Sequence, residues 1–145
     1  MNRMIRFVSI ACAAMLTLSC SKNDISQICK DIEFKEYHLY VEDGKSGEVG
    51  FEAWTGETRA SSNYVLYLYF NDFASMEPGQ KSVPVSAYFV NQWVNGDAFF
   101  TEEYSGSIFL VKKSDTKAEI SFDKVTMNIL NTDYLFDGCL LCPIE

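Results

Sequence analysis

Apolar and polar residues alternate with a period of two along most of this chain, which is the pattern of half-buried β-strands. Val49, Phe51 and Ala53 share one parity, and Trp54 lies on the other. The run at 64–70 (YVLYLYF) is apolar on both parities, which predicts a central strand covered on both sides. No stretch of helix length repeats apolar residues at i, i+3, i+4 and i+7.

Turn residues separate these strand patterns at short intervals. The dipeptide at 95–96 is Asn-Gly, which predicts a two-residue hairpin because both residues tolerate positive φ angles. The sequence Glu-Pro-Gly-Gln at 77–80 fits a type II turn, and the polar stretch 114–117 predicts a second hairpin. The apolar parity changes near residues 35–36 and 123–124, which predicts a β-bulge at each place.

About eight strands joined by short turns predict an all-β fold, a single antiparallel β-sandwich or barrel. We place this domain at residues 31–145, after a polar tether at residues 20–30. The chain has 145 residues, the length of one domain, and its 48% hydrophobic content is that of a globular protein.

The first 19 residues have the organisation of a secretory signal peptide. Two basic residues, Arg3 and Arg6, precede twelve mostly apolar residues at 7–18. A membrane-spanning helix needs about twenty such residues, so this run is too short to span stably. Ser19 and Cys20 end the run, and a polar stretch follows at once. We therefore predict a signal peptide at 1–19, cleaved just before Cys20.

The sequence Leu-Thr-Leu-Ser-Cys at 16–20 resembles the lipobox of bacterial lipoproteins, in particular the uncharacterised exported lipoproteins of Bacteroides-type bacteria. It matches that pattern at Ser19 and Cys20, and it departs from it at Thr17, where the strict pattern has leucine. The resemblance implies that Cys20 carries diacylglycerol and fatty acyl chains such as palmitate. It also implies a place in the cell envelope, and Ser21 is compatible with sorting to the outer membrane.

Two or more acyl chains hold a protein stably on a bilayer, whereas one chain binds only marginally. The lipid on Cys20 therefore predicts a membrane as the first partner of the domain. The alternative is ordinary cleavage near Ala11-Cys12-Ala13, which would leave a soluble protein and an apolar run of only about seven residues.

Charge narrows the choice of other partners. Removal of the leader leaves ten basic and twenty acidic residues, a formal charge of −10. Such a surface repels phosphate backbones, and no cluster of lysine and arginine offsets it. We predict no nucleic-acid partner.

Motifs for catalysis are missing from the sequence. The single histidine, His38, falls at mid-strand on the parity of Glu36 and Glu42, so we predict a solvent-facing residue. No Gly-x-Ser-x-Gly, His-Glu-x-x-His or glycine-rich phosphate loop occurs. Twenty acidic residues single out no acid/base pair, and we predict no catalytic residue and no cofactor.

The cysteines leave several interpretations open once Cys20 is acylated. Cys139 and Cys142 have CxxC spacing, but residues three apart in a strand lie about 10 Å apart, beyond the roughly 7 Å reach of a disulfide. We favour a bridge from Cys29 to one of them, as is common in exported domains. The alternatives are three buried thiols, or a Cys₃His zinc site that includes His38.

Aromatic residues make up 14% of the chain and offer a candidate binding surface. A stacking platform for sugar rings or a peptide would draw on Trp54, Tyr67, Tyr69, Tyr88, Trp93 and the pair Phe99–Phe100. Aromatic residues are also enriched in sheet cores, and we favour that interpretation because a platform additionally requires exposure.

These observations predict a lipid-anchored β domain of the cell envelope that acts as a non-catalytic binding or interaction module for a protein or glycan. Two alternatives stay open. A small glycan hydrolase would need paired carboxylates about 5–10 Å apart in an exposed aromatic cleft. A lipocalin-like carrier of an apolar ligand would need a closed barrel around an apolar cavity.

Overall fold

The structure is a computed structural model that describes residue 20 and residues 24–42, 47–94 and 97–145, with the backbone alone at residues 93 and 94. This part of the chain contains two short 3₁₀ helices, Ile25–Gln27 and Phe73–Ser75. Its strands are β1 (Glu36–Val41), β2 (Val49–Trp54), β3 (Tyr64–Phe70), β4 (Lys81–Ser82), β5 (Ser86–Val94), β6 (Asp97–Thr101), β7 (Tyr104–Ser114), β8 (Lys117–Ile129) and β9 (Thr132–Pro143). The predicted signal peptide at 1–19 lies outside the described residues.

The strands form two sheets that pack face to face, which confirms the predicted all-β sandwich. One sheet has five strands in the order β1-β2-β3-β5-β6, and the other has four in the order β4-β7-β8-β9. All neighbouring strands within each sheet are antiparallel. A parallel bridge between Leu39 and Ile144 joins the sheets at one corner, where the backbone N–H of Glu145 donates to the Leu39 carbonyl at 2.9 Å.

Aromatic rings hold the two sheets together. Phe89 of β5 meets Phe136 of β9 edge to face, with ring centroids 5.2 Å apart, and Tyr134 in the same manner at 5.3 Å. Phe122 of β8 stacks on Phe136 at 5.9 Å. Both Phe89 and Phe136 are fully buried, so the space between the sheets is a packed core.

The type II turn predicted at residues 77–80 is confirmed. The Gln80 N–H donates to the Glu77 carbonyl at 3.0 Å and Gly79 has a φ of +90°, as a type II turn requires. β5 pairs with β6 up to Val94 and Asp97, although Asn95-Gly96 itself lies outside the described residues.

The bulge predicted at residues 123–124 is also confirmed. The pairing of β8 with β9 shifts register between Phe122 and Val125, and Lys124 adopts a φ of +48°. Gly106 of β7 faces this bulge at a φ of +84°, so close that a Cβ there would lie 2.7 Å from the Asp123 carbonyl oxygen. The bulge therefore depends on a glycine in the neighbouring strand.

The predicted tether at residues 20–30 is wrong in its second half. Ile25, Ile28 and Cys29 are 3%, 4% and 2% exposed and belong to the core. The Asp137 N–H donates to the Ile28 carbonyl at 2.9 Å, which places the segment along β9. Residues 25–30 are thus part of the packed domain, because the 3₁₀ helix turns Ile25 and Ile28 inward beneath a polar start at Asp24.

The expectation that β3 is covered on both sides is also wrong. Leu66, Leu68 and Phe70 are fully buried against the other sheet. Tyr67 and Tyr69, on the opposite parity, are only half-buried. The apolar character of both parities therefore reflects a core on one side of the strand and a partly exposed tyrosine pair on the other.

Candidate binding face

The outward side of the five-stranded sheet carries a continuous group of aromatic side chains. Strand side chains alternate between faces, and the inward positions of β2 and β3 are buried, so the intervening positions point away from the core. We call this side the aromatic face, and its aromatic members are Tyr40, Trp54, Tyr67, Tyr69, Tyr88 and Phe100. No described strand packs over it as a third layer.

Strand register places these side chains beside one another. Tyr67 pairs with Tyr88 across β3 and β5, and Tyr69 and Tyr88 meet edge to face with centroids 6.5 Å apart. Phe100 lies opposite Val90 in the pairing of β5 with β6, and it is 63% exposed. Cross-strand neighbours of this kind lie close enough to form one surface.

Two adjoining clefts cross the aromatic face. The first, which we call the apolar cleft, has a volume of about 370 Å³ and is lined by Tyr67, Tyr69, Tyr88, Val90, Phe100 and Glu102. The second, the acidic cleft, has a volume of about 570 Å³ and is lined by Glu42, Glu48, Tyr69, Asn71, Val85, Ser86 and Tyr88. Tyr69 and Tyr88 border both clefts, so the two clefts are neighbours on the aromatic face.

A polar network fixes the side of the face next to β1. The Tyr40 hydroxyl donates to Glu52 Oε1 at 3.1 Å, and the Arg59 guanidinium binds both carboxylate oxygens of Glu52 at 2.9 and 3.0 Å. Gly50 permits this arrangement, because a Cβ there would lie 2.6 Å from the Tyr40 ring. Burial, with the adjacent Glu52 carboxylate, raises the pKa of Tyr40 well above its ordinary value.

The loop at residues 55–63 closes one end of the face. The Gln92 amide of β5 donates to the carbonyls of Arg59 and Ser62 at 3.1 and 2.7 Å. Within the loop, the Ser62 hydroxyl donates to the Thr58 carbonyl at 2.7 Å. These bonds hold Arg59 where its side chain reaches Glu52. The hydrogen-bonded loop therefore bounds one end of the aromatic face.

The sequence-predicted aromatic candidates divide between face and core. Trp54, Tyr67 and Tyr69 lie half-buried on the aromatic face, against our expectation of core positions. Phe99 packs on the core, whereas the Trp93 side chain lies outside the described part of the structure.

Sequence reasoning missed Tyr40 and the carboxylates of Glu42, Glu48 and Glu102. Tyr40 and Glu42 share the parity of His38 in β1, so the outward face of β1 carried the signal for these two. Glu48 and Glu102 stand just outside strands β2 and β6, and only the folded sheet brings them to the clefts.

The cysteines pair differently from the prediction. Cys20 forms a disulfide with Cys139, while Cys29 and Cys142 are free and buried. The favoured Cys29 bridge is wrong for a physical reason. Cys29 lies opposite Phe136, so Cys139 and Cys142 follow three and six residues farther along the strand, roughly 10 and 20 Å away. A disulfide reaches only about 7 Å between Cα atoms.

The two free thiols are placed as core side chains. Burial raises the pKa of Cys142 to about 12 and also raises the pKa of Cys29 above its ordinary value. Because the thiolate is the reactive form, both stay protonated and inert near neutral pH.

His38 stands on the outward side of β1, as predicted, and it is held by two neighbours. Its ring stacks on Trp54 with centroids 5.0 Å apart and planes within 7°. Its Nδ1 lies 2.8 Å from Glu145 Oε2. The Cys₃His zinc alternative finds no support, since no three His, Cys, Asp or Glu residues in the described ranges are grouped to hold a metal.

Comparisons of the chain with protein-family models, curated proteins and solved structures gave no match in any of the three. The candidate site therefore stands on its own geometry. Among the residues that the structure describes, no helix is long and apolar enough to cross a membrane.

Proposed function

We propose that this chain is an exported lipoprotein of the cell envelope whose β-sandwich acts as a non-catalytic binding module through the aromatic face. The observation that carries the proposal is the partly exposed aromatic surface, in which Phe100 is 63% exposed. Large exposed apolar surfaces on soluble domains commonly mark binding sites. Tyrosine suits such a surface because it combines a rigid apolar ring with a polar hydroxyl.

The lipobox-like sequence supports the anchor, and Cys20 sets a chemical condition on it. One sulfur atom forms either the thioether to diacylglycerol or the disulfide to Cys139, but not both. We assign the lipid to the envelope form of the protein, in which Cys139 is then a free thiol. We assign the bridge to a domain that keeps Cys20 without being acylated.

The position of the N-terminal segment supports display of the aromatic face away from the membrane. In β9, Cys139 is next to the buried Leu140, and neighbouring side chains of a strand point to opposite faces. Cys139 therefore lies on the outer side of the four-stranded sheet. The aromatic face lies on the other side of the sandwich. At most about 18 Å of extended chain separates Cys20 from the buried Ile25, so the anchor stays within that distance of Ile25.

The geometry supports a binding module better than the two alternatives. The glycan hydrolase alternative needs an acid/base pair, whereas the bonds that Glu52 on the aromatic face accepts from Arg59 and Tyr40 favour a structural role for this carboxylate. The lipocalin-like alternative requires a closed barrel, whereas the described strands form two separate sheets around a filled core.

Acyl labelling tests the anchor. Cells that express the full chain are fed an alkyne analogue of palmitate, and the wild-type protein is expected to be labelled in the membrane fraction. Cys20→Ser is expected to lose the label, whereas Cys12→Ser, a change in the leader, keeps it. Labelling of Cys20→Ser at the wild-type level would contradict the anchor.

Immobilised peptides and oligosaccharides test the binding face. The domain without lipid is expected to bind members of one chemical class, and Phe100→Ser is expected to weaken that binding. The matched control is Leu135→Ser, since Leu135 is an exposed apolar residue, 42% exposed, on the other sheet. Equal binding by the Phe100→Ser variant and the wild type would contradict the proposal that this face binds.

A further inference from the structure

We propose that the aromatic face binds a basic peptide segment, whose Lys or Arg side chains lie across the apolar and acidic clefts. This inference rests on the proposed function, because it names the ligand class of the same face. It follows from the charges around the two clefts and from the aromatic surfaces that line them.

Among the residues that the structure describes, the charged side chains that line the clefts are acidic. Glu102 borders the apolar cleft, and Glu42 and Glu48 border the acidic cleft. Among the described lining residues there is no lysine or arginine. The nearby Arg59 is already bound to Glu52 by two short contacts, so it does not neutralise the clefts. A cationic ligand therefore complements this surface, and an anionic one is repelled.

One carboxylate oxygen of Glu42, a residue that lines the acidic cleft, is buried without a partner. Glu42 Oε2 has no hydrogen bond to any group in the described part of the chain. A buried acceptor of this kind costs free energy unless a donor reaches it. A guanidinium or ammonium group is such a donor, and it carries the complementary charge.

The aromatic rings complete the site for a cation. The faces of tyrosine and phenylalanine rings attract a cation within about 6 Å of the centroid. Burial raises the pKa of Tyr67, so its phenol stays neutral. The negative charge of the apolar cleft therefore comes from Glu102. The domain already uses this contact elsewhere: Lys112 lies 4.7 Å from the Phe73 centroid, and Lys81 lies 5.2 Å from that of Phe109.

A basic peptide explains the surface better than a neutral sugar does. A sugar would use the rings for stacking, but it has no charge to match Glu42 and Glu102 at the two clefts. A basic peptide uses both features, because its apolar stems cover the rings and its cationic groups reach the carboxylates. The formal charge of −10 on the chain after the leader also attracts such a partner over a distance.

The test measures binding of a fluorescently labelled hexa-arginine peptide to the domain without lipid, by anisotropy. Glu102→Gln and Phe100→Leu are each expected to weaken binding about two- to fivefold. Glu77→Gln is the charge control, because it removes the same charge from an exposed turn outside the clefts. Phe109→Leu is the aromatic control on the opposite sheet. Raising the salt concentration is expected to weaken binding further.

Three results would overturn the proposal. The first is no binding of hexa-arginine. The second is equal weakening by Glu102→Gln and Glu77→Gln, which would show attraction to net charge alone. The third is salt-insensitive binding of a neutral sugar, cellohexaose, that Phe100→Leu removes. That third result would refute a cationic ligand and still support the aromatic face as the binding surface. Phe100 is mostly exposed, so its variant is expected to fold.

Discussion

The bridge between Cys20 and Cys139 is expected to contribute strongly to the stability of the domain when Cys20 carries no lipid. The two residues are 119 positions apart in the sequence, so the bridge closes almost the whole domain into one loop. On the chain-entropy model a loop of this length stabilises by up to about 5 kcal/mol, and removal of native bridges typically costs about 2–5 kcal/mol.

Chemical unfolding in urea measures this contribution. The domain is secreted behind a signal peptide that lacks a lipobox, so that Cys20 stays in the mature chain without acylation. Cys139→Ser is expected to lower the unfolding midpoint by about 1 to 2.5 M, for an m-value of about 2 kcal/mol per M. Reductant is expected to lower the wild-type midpoint to the same value and to leave the variant unchanged.

Coupling between the two cysteines supplies the control. Cys20→Ser and Cys139→Ser each remove the same disulfide. The double variant is therefore expected to lose no more stability than either single variant. Cys29→Ala is expected to keep the response to reductant, since Cys29 is a free thiol. A response to reductant that disappears in Cys29→Ala and persists in Cys20→Ser would contradict the pairing of Cys20 with Cys139.

Further variants test the packing at the bulge and the pH dependence of stability. Gly106→Ala is expected to destabilise the domain by about 2 kcal/mol or more, because its Cβ would press on the carbonyls of Asp123 and Lys124. Gly79→Ala is the matched control, with a similar φ of +90° and open space around it, and a loss of the same size there would contradict the packing argument. Tyr40→Phe tests the raised pKa of Tyr40. Because the folded domain holds the phenol proton more tightly than the unfolded chain does, the stability that this proton contributes is fully present below pH 10 and is lost as the pH rises above it. Melting temperatures from pH 8 to 11 are expected to fall less in Tyr40→Phe than in the wild type.

Local patterns predicted the strands well because each pattern is a property of a few adjacent residues. The alternation of Val49, Phe51 and Ala53 places these residues in the core of β2. Residues 77–80 predicted their turn because proline and glycine fix φ angles within four residues. The bulge at Lys124 was visible as a change of parity, although its glycine partner, eighteen positions earlier, was not.

The candidate site was less predictable because it depends on long-range pairing. Trp54 and Tyr67 have the composition of a sheet core, and only the one-sided packing of the two sheets exposes them. The burial of Ile25 and Ile28 was missed because a 3₁₀ helix turns them inward within a stretch that reads as polar. The cysteine pairing failed because it depends on which β9 residue lies opposite Cys29.

The chemical state of the Cys20 sulfur decides whether the domain is anchored by lipid. The full chain is expressed with its own leader in a bacterium that processes lipoproteins, and the N-terminal peptide from the membrane fraction is analysed by mass spectrometry. We expect a chain that begins at Cys20 and carries diacylglycerol there, with Cys139 recovered as a free thiol. A membrane-fraction chain whose Cys20 is unacylated and linked to Cys139 would contradict the lipid anchor.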